Sequence, residues 1–278
     1  METMTLKEMR LVEFEKLARL VYEQSGIKLE PPKRDLLQAR LRKRLKALGL
    51  NGFKDYLKFV ARDPTGEELI QMMDCVTTNK TEFFREGRHF EHLAEQALPA
   101  LLQRPDLREE PLRLWSAACS TGEEVYSLAM TALERVGGTR VVKVLGTDLS
   151  TQVLAKALEG RYDADKTRGV PEAWRVKYFI PEEAEGRTLD RAGHLLKKVA
   201  RFSRLNLNGE DYSFRAPFDV IFCRNVMIYF DAATQQKLVT RLTGCLKKGG
   251  YLYTGLSESL LRVKHGLVNI GPSIYQKP

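Results

Sequence analysis

Along the first part of the chain apolar residues recur at intervals of three and four; further on the rhythm changes to short unbroken apolar runs separated by helical stretches. Phe14, Leu17, Leu20 and Val21 make one helical stripe that stops near Gly26, and Thr5 with Glu8 has the capping-box spacing that predicts where the helix starts. A second helix is predicted after Pro31-Pro32, with Leu37, Leu41, Leu45 and Leu48 on its apolar side and Gly49 at its end. Phe53, Tyr56, Leu57 and Val60 predict a third. After Pro64-Thr65-Gly66, Leu69, Met72, Met73 and Val76 predict a fourth, with Thr65 and Glu68 as its start signal. These four helices make a small all-helical bundle over residues 1–78.

From about residue 93 the pattern predicts strands at 112–117, 141–147, 202–207, 218–223 and 251–255, and a closing hairpin around 266–275. Helical stripes lie between them: Val125, Leu128, Ala129, Ala132, Leu133 and Val136; then Val153, Leu154, Ala157 and Leu158; then Leu238, Leu242, Cys245 and Leu246. Gly137, Gly160 and Gly249 are placed to stop these three helices. Strand alternating with helix implies an α/β fold, a parallel Rossmann-like sheet covered on both faces. One segment breaks the alternation. Tyr178 to Ala200 inserts Tyr-Phe-Ile-Pro, a polar Gly-containing loop and Leu195-Leu-Lys-Lys-Val199, which reads as a small antiparallel excursion.

Composition narrows the class. A chain of 278 residues, 43% hydrophobic, can fill one large core and one small one. No apolar run is long enough to cross a bilayer and the amino terminus lacks a signal-peptide core, so a soluble cytoplasmic protein with no membrane insertion is expected. The four cysteines show no Cys-x-x-Cys spacing and are expected to be buried thiols, and the four histidines are too dispersed to suggest a metal site. The net charge of +9 favours an acidic partner. Its excess is densest in the amino-terminal domain: Lys33, Arg34, Arg40, Arg42, Lys43, Arg44 and Lys46 face only Asp35 within that span. Arg40, Lys43 and Arg44 are expected on one exposed flank of the second helix, with Arg42 and Lys46 on another.

The chemistry is concentrated in Trp115-Ser-Ala-Ala-Cys-Ser-Thr-Gly-Glu-Glu-Val-Tyr-Ser127, where a strand passes through a small-residue turn at Gly122 into a helix. Such a junction leaves unpaired N–H groups at a strand's carboxyl end and holds charged small molecules. Glu123 and Glu124 at the helix entrance would repel a phosphate and favour a cationic ligand, so a cofactor with an amine and a sulfonium fits better than a nucleotide. Asp148 ends the next strand at the spacing where doubly wound folds hold ribose hydroxyls; alternatively it only begins the following helix, which Ser150 could do as well. The full Gly-x-Gly-x-x-Gly fingerprint is missing, which argues against a dinucleotide. Arg224 and Asn225 end the buried strand 218–223 and should face a ligand cleft, with Tyr229 behind them and Asp231 as the cap of the next helix. Asn79-Lys-Thr-Glu-Phe-Phe-Arg85 joins the domains, and its polar groups beside paired aromatics suggest a lid over that cleft; the plain alternative is a linker capped by Thr81.

Together Asn79-Lys-Thr-Glu-Phe-Phe-Arg-Glu86, the stretch 115–127, Gly146-Thr-Asp-Leu-Ser150, Ile221-Phe-Cys-Arg-Asn-Val-Met-Ile-Tyr-Phe-Asp231 and Gly255-Leu-Ser-Glu-Ser259 resemble the chemotaxis protein methyltransferases, the CheR family, in order and spacing across nearly the whole chain. The resemblance implies S-adenosylmethionine as cofactor, S-adenosylhomocysteine as product, no metal, and O-methylation of glutamate side chains on chemoreceptors in sensory adaptation. It implies a helical domain at 1–78 and a catalytic domain at 79–278, which begins with the linker motif 79–92 and carries an inserted antiparallel β-subdomain at about 177–201. Carried over by motif, Asn79, Thr81 and Arg85 line the cofactor cleft and Gly122 forms its turn. Glu123 or Glu124 holds the methionine amine, Asp148 the ribose, and Asn206, Leu207, Arg224 and Asn225 the remaining edges. Arg85 and Tyr229 then flank the reacting methyl group as catalytic residues. The implied partner is the acidic helical bundle of a chemoreceptor, docked on the basic helix at 33–47, with a receptor carboxyl-terminal peptide on the β-subdomain. Cys119 and Val125 depart from the family pattern without removing a contacting group. Two other functions compete: a noncatalytic cofactor-binding signalling protein, and a methyltransferase acting on another protein or on nucleic acid. No nucleic-acid partner is expected, because aromatics are sparse beside the basic helix and no Asn-Pro-Pro-Tyr type motif follows the fourth strand.

Overall fold

Four parallel strands form the centre of the molecule in a computed structural model that describes residues 7–104, 109–138, 140–184, 186–210 and 212–278. They are β1 (Leu112–Ala117), β2 (Val142–Asp148), β6 (Ala200–Arg204) and β7 (Phe218–Cys223). The sheet continues through β8 (Leu246–Thr254) to an antiparallel edge of β10 (Ile274–Gln276) and β9 (Val268–Gly271), in the order β6-β2-β1-β7-β8-β10-β9. Strand order reverses at β1, and in such sheets the crevice outside the carboxyl ends at that point is the place for a ligand. β1 and β7 are covered on both faces and their runs are mostly apolar, broken only by Arg113, Ser116 and Asp219; Trp115, Ile221 and Phe222 are fully buried.

Helix α7 (Glu123–Val136) and α8 (Thr151–Glu159) cover the sheet and end at Gly137 and Gly160 in left-handed conformation, as their sequences predict. Gly249 does otherwise. Helix α11 (Ala232–Cys245) stops at Cys245, and Gly249 lies inside the long strand β8 with φ +72°. Leu158, predicted on an apolar stripe, is exposed, whereas Val153 and Ala157 carry the packing of α8. Cys119 and Cys223 are buried and their thiols are pushed up by desolvation, but Cys75 and Cys245 are only half-buried.

A second sheet of three antiparallel strands, in the order β3-β5-β4, stands beside α8. It comprises β3 (Arg161–Asp163), β4 (Phe179–Ala184) and β5 (Arg187–Ala192). The excursion therefore reaches further upstream than 177–201, because the three residues of β3 are too short to show a strand rhythm. Residues 195–199, expected to belong to it as an extended segment, lie in helix α10 (His194–Val199), with Leu196 and Ala200 buried at helical spacing.

The amino-terminal domain packs α1 (Leu11–Ser25), α2 (Arg34–Ala47), α3 (Phe53–Arg62) and α4 (Glu67–Val76) around Phe14, Leu17, Leu41, Leu45, Tyr56 and Met72. Thr5 lies outside the described residues, and Glu8 precedes the helix. It is the Glu13 carboxylate that caps α1, accepting the Arg10 N–H at 2.9 Å. The start signal of α4 is partly reassigned: the Thr65 hydroxyl accepts the Glu67 N–H at 3.2 Å, but it is Asp63 that accepts the Glu68 N–H, at 2.7 Å, and the Glu68 side chain turns inward to Arg44 and the Tyr56 hydroxyl. Several polar contacts tie this domain to the catalytic one, the Lys28 N–H on the Tyr229 carbonyl at 2.9 Å among them. Asp74 at the end of α4 accepts the Thr151 N–H at 2.9 Å, and the Tyr22 hydroxyl donates to Asp231 at 2.6 Å.

Candidate functional site

The carboxyl ends of β1, β2 and β7 open into a cleft of roughly 900 Å³ whose far wall is built by Ser25, Ile27, Thr77 and Thr78 of the amino-terminal domain. Gly122 makes the turn into α7 at φ +95°; a Cβ there would stand 2.9 Å from Ala157 Cβ and 3.0 Å from the Tyr162 hydroxyl, so only glycine fits. Gly122 itself lies behind the cleft, and Ala118, Cys119 and Ser120 line it. Backbone strain gathers here. Of six non-glycine residues with positive φ among those described, Phe84, Glu86, Ala118, Ser120 and Asn225 lie on the three loops around the cleft. Each such residue costs about 1 kcal/mol or more, and surrounding contacts must hold it.

The two adjacent acids separate, because neighbouring helical residues do not share a face. Glu124 lines the cleft, with Oε1 accepting from the Ser116 hydroxyl at 2.7 Å and Oε2 from Arg224 Nε at 2.8 Å. Glu123 is fully buried behind the turn, where it accepts from Thr121 Oγ1 at 2.6 Å and pairs with Lys166 at 3.3 Å. Glu124 is therefore the acid in position to meet a ligand's amine.

Arg224 supports that acid. Its Nη1 donates to the Arg85 carbonyl at 2.7 Å, lies 3.3 Å from Glu86 Oε2 and 3.2 Å from His89 Nδ1, and its guanidinium sits over the rings of Phe90 and Phe222. In the tautomer protonated on Nε2, which lies 3.4 Å from the Pro272 carbonyl, His89 Nδ1 accepts from Arg224. Burial, and then the Arg224 charge, hold His89 below the ordinary histidine value. Asn225 follows in left-handed conformation, its N–H on Glu258 Oε2 at 2.6 Å and its Nδ2 on Glu86 Oε1 at 3.1 Å.

Asp148 also lines the cleft. Its oxygens accept the N–H groups of Ser120 at 2.8 Å and Ser150 at 3.0 Å, and burial holds its carboxyl above the ordinary range against those donors. Helix α8 is capped by Ser150, whose hydroxyl accepts the Val153 N–H at 3.3 Å, so Asp148 is not needed for that task. A carboxylate has about four acceptor positions, which leaves Asp148 capacity for ligand hydroxyls. Beyond it Ile27, Leu149, Leu205, Leu207, Val226 and Phe230 supply an apolar wall suited to a planar base. Asn206 lines the same side and donates to the Gln24 carbonyl at 2.5 Å.

At the other side Asn79, Thr81 and Arg85 descend from the linker. The Asn79 carbonyl accepts from Ser120 Oγ at 3.1 Å, and Arg85 Nη1 rests on the Lys80 carbonyl at 3.0 Å. Tyr229 faces them, half-buried, with Lys33 Nζ 5.7 Å from its ring centre and no hydrogen bond to its hydroxyl among the described residues. Thus ten of the sequence-nominated residues meet in one cleft, and Gly122 and Glu123 stand just behind it. Sequence reasoning overlooked Glu86 and Glu258, although both lie inside recognised motifs. It also overlooked Ser25 and Ile27, for which the helical pattern of α1 carries no signal. The set fits an adenosine cofactor bearing a cationic amine: an acid at one end, a hydroxyl acceptor in the middle, an apolar slot beyond. No group of three or more His, Cys, Asp or Glu with metal-site geometry occurs among the described residues.

Residues 79–274 match the family described as "CheR methyltransferase, SAM binding domain", and residues 12–77 match "CheR methyltransferase, all-alpha domain". A probable chemotaxis protein methyltransferase of Rhizobium etli is 40% identical over 92% of this chain and 96% of its own length. The chemotaxis protein methyltransferase of Borreliella burgdorferi is 38% identical over 95% of this chain and 94% of its own. That of Escherichia coli is 37% identical over 94% of this chain and 89% of its own.

Proposed function

The chain belongs to the CheR methyltransferase family, chemotaxis enzymes that use S-adenosylmethionine, and from that premise we propose that it methylates glutamate side chains of bacterial chemoreceptors, giving glutamyl methyl esters. The observation that carries the proposal is the convergence of Arg85 and Tyr229 on the cleft that also holds Glu124 and Asp148. In this reading Glu124 holds the cofactor's amine, Asp148 its ribose hydroxyls and the Leu149–Leu205–Leu207 wall its adenine. Bound there, S-adenosylmethionine supplies a methyl group on a positively charged sulfur.

The acceptor makes modest demands. A free glutamate with pKa about 4.3 is already ionised at neutral pH, so no strong general base is required. The protein must align the carboxylate oxygen and keep water from solvating it. Arg85, with one N–H contact on the Lys80 carbonyl, keeps other donors free for a carboxylate, and the unengaged Tyr229 hydroxyl can give one more. The basic helix α2 brings the acidic receptor bundle to this mouth, and the enzyme works in the cytoplasm, where that part of a receptor lies.

Kinetics with labelled methyl donor and a receptor fragment test the assignment. Arg85→Ala should lower turnover about 100-fold, the scale of a misaligned reactant, while calorimetry finds S-adenosylhomocysteine affinity largely kept. Near-normal turnover in that variant would remove Arg85 from the catalytic pair.

A further inference from the structure

The end of the sheet opposite the cleft carries a surface that methyl transfer leaves unused. At the amino ends of β1, β2 and β7 and beside β6, an open groove of roughly 1440 Å³ runs between α10 and residues 214–218. Its titratable lining consists of Arg113, Arg140, Lys143, Lys198, Arg201 and Arg215, with no acid among them. The floor is apolar: Val141 is 63% exposed and Leu195 47%, Leu145 and Phe214 are half-buried, and Phe218 is buried. No helix among the described residues between β6 and β7 covers this face.

The strand register makes the charge pattern costly. Arg113 is paired with Lys143 across β1 and β2, and Leu145 with Arg201 across β2 and β6, so three cations share one sheet face. Like charges set directly opposite each other destabilise a sheet. The acids within reach are shared: Asp219, which accepts the Arg113 N–H at 2.8 Å, and Glu110 both pair with Lys247, and Glu110 also lies within electrostatic reach of Arg113 and Arg140. Arg140 Nη2 is shut away from solvent with no hydrogen-bond partner among the described residues. A negatively charged occupant would relieve the repulsion among the exposed cations.

We infer that this groove docks an acidic amphipathic segment of a partner protein, with aliphatic side chains on the Val141–Leu195 floor and carboxylates against the cationic rim. Charge complementarity selects that occupant. The exposed floor residues Val141 and Leu195 offer no ring on which nucleic-acid bases stack, and Phe214 and Phe218 are already packed against Trp115; a second copy of a chain with net charge +9 would bring like charge to a cationic rim. The surface is separate from the methyl-transfer cleft, so it can recruit a partner without occupying the site.

Fluorescence anisotropy on the full chain tests this with three labelled probes: an amphipathic Leu/Glu peptide, a Ser/Glu peptide of equal charge, and a single-stranded oligonucleotide. The Leu/Glu peptide should bind about tenfold more tightly than the Ser/Glu peptide, a difference of about 1.4 kcal/mol. The exposed double variant Lys143→Glu/Arg215→Glu should lose at least about tenfold of that affinity while keeping its S-adenosylhomocysteine affinity, which shows that it is folded. Equal binding of the two peptides, or undiminished binding to the double variant, would overturn the inference. So would an oligonucleotide that outcompetes the peptide at these residues, or self-association in sedimentation that Val141→Asp abolishes.

Discussion

Glu124 and Glu123 are chemically identical and adjacent, yet one turn of geometry gives them different work. Glu124 stands in the cleft between Ser116 and Arg224, whereas Glu123 is sealed behind Gly122 with Thr121 and Lys166. Glu124→Gln should weaken S-adenosylhomocysteine binding about tenfold, since the charge that faces the amine is lost. Glu123→Gln should leave that affinity nearly intact and lower the unfolding midpoint instead; calorimetry and denaturation on the two variants separate these outcomes. His89 carries a pH signature. Its folded value lies below its unfolded one, so its neutral form contributes stability above about pH 6.5 that is lost as pH falls through the unfolded value toward the folded one. Unfolding midpoints measured from pH 7.5 down to 5 should therefore fall, and His89→Gln should show a shallower slope over that range. An equal slope would remove His89 as the source.

At the scale of elements, α2 divides its charges differently from the even flanks expected of it. Arg44 lies against the buried Glu68, and Arg40 reaches the Val76 carbonyl and Thr78, so both hold the bundle together. Arg42, Lys43 and Lys46 are exposed, with no ion pair among the described residues. Arg44→Ala should cost about 2–4 kcal/mol in chemical denaturation, at or below the usual range for a broken buried pair because Arg44 is partly exposed. Reversing Arg42, Lys43 and Lys46 to Glu should change stability little but slow receptor methylation at low salt, an effect that fades as salt screens it. The helices and central strands were legible because their burial imposes a period, and Asp231 as a cap because its residue type and position suffice: it accepts the Thr234 N–H at 2.8 Å. The three-residue β3 and the αL loops around Ala118 and Asn225 left no such rhythm, and the role of Glu258 depends on backbone N–H groups from its own turn at Gly255 and from the distant loop at Asn225.

For the whole molecule, the cleft exists only because two domains meet. Ser25, Ile27, Thr77 and Thr78 close a wall that the catalytic sheet cannot supply, and Tyr22–Asp231 and Asp74–Thr151 fix the closure. Loosening it by Asp74→Ala should weaken S-adenosylhomocysteine binding although Asp74 does not line the cleft, a change that titration calorimetry would detect. The central claim is that this cleft presents the methyl donor to a side-chain carboxylate. Its most direct measurement is peptide mass spectrometry of a receptor fragment incubated with the full chain and S-adenosylmethionine, before and after mild base. The account predicts methyl groups on glutamate that base removes as methanol; methylation confined to other residues, or stable to base, would contradict it.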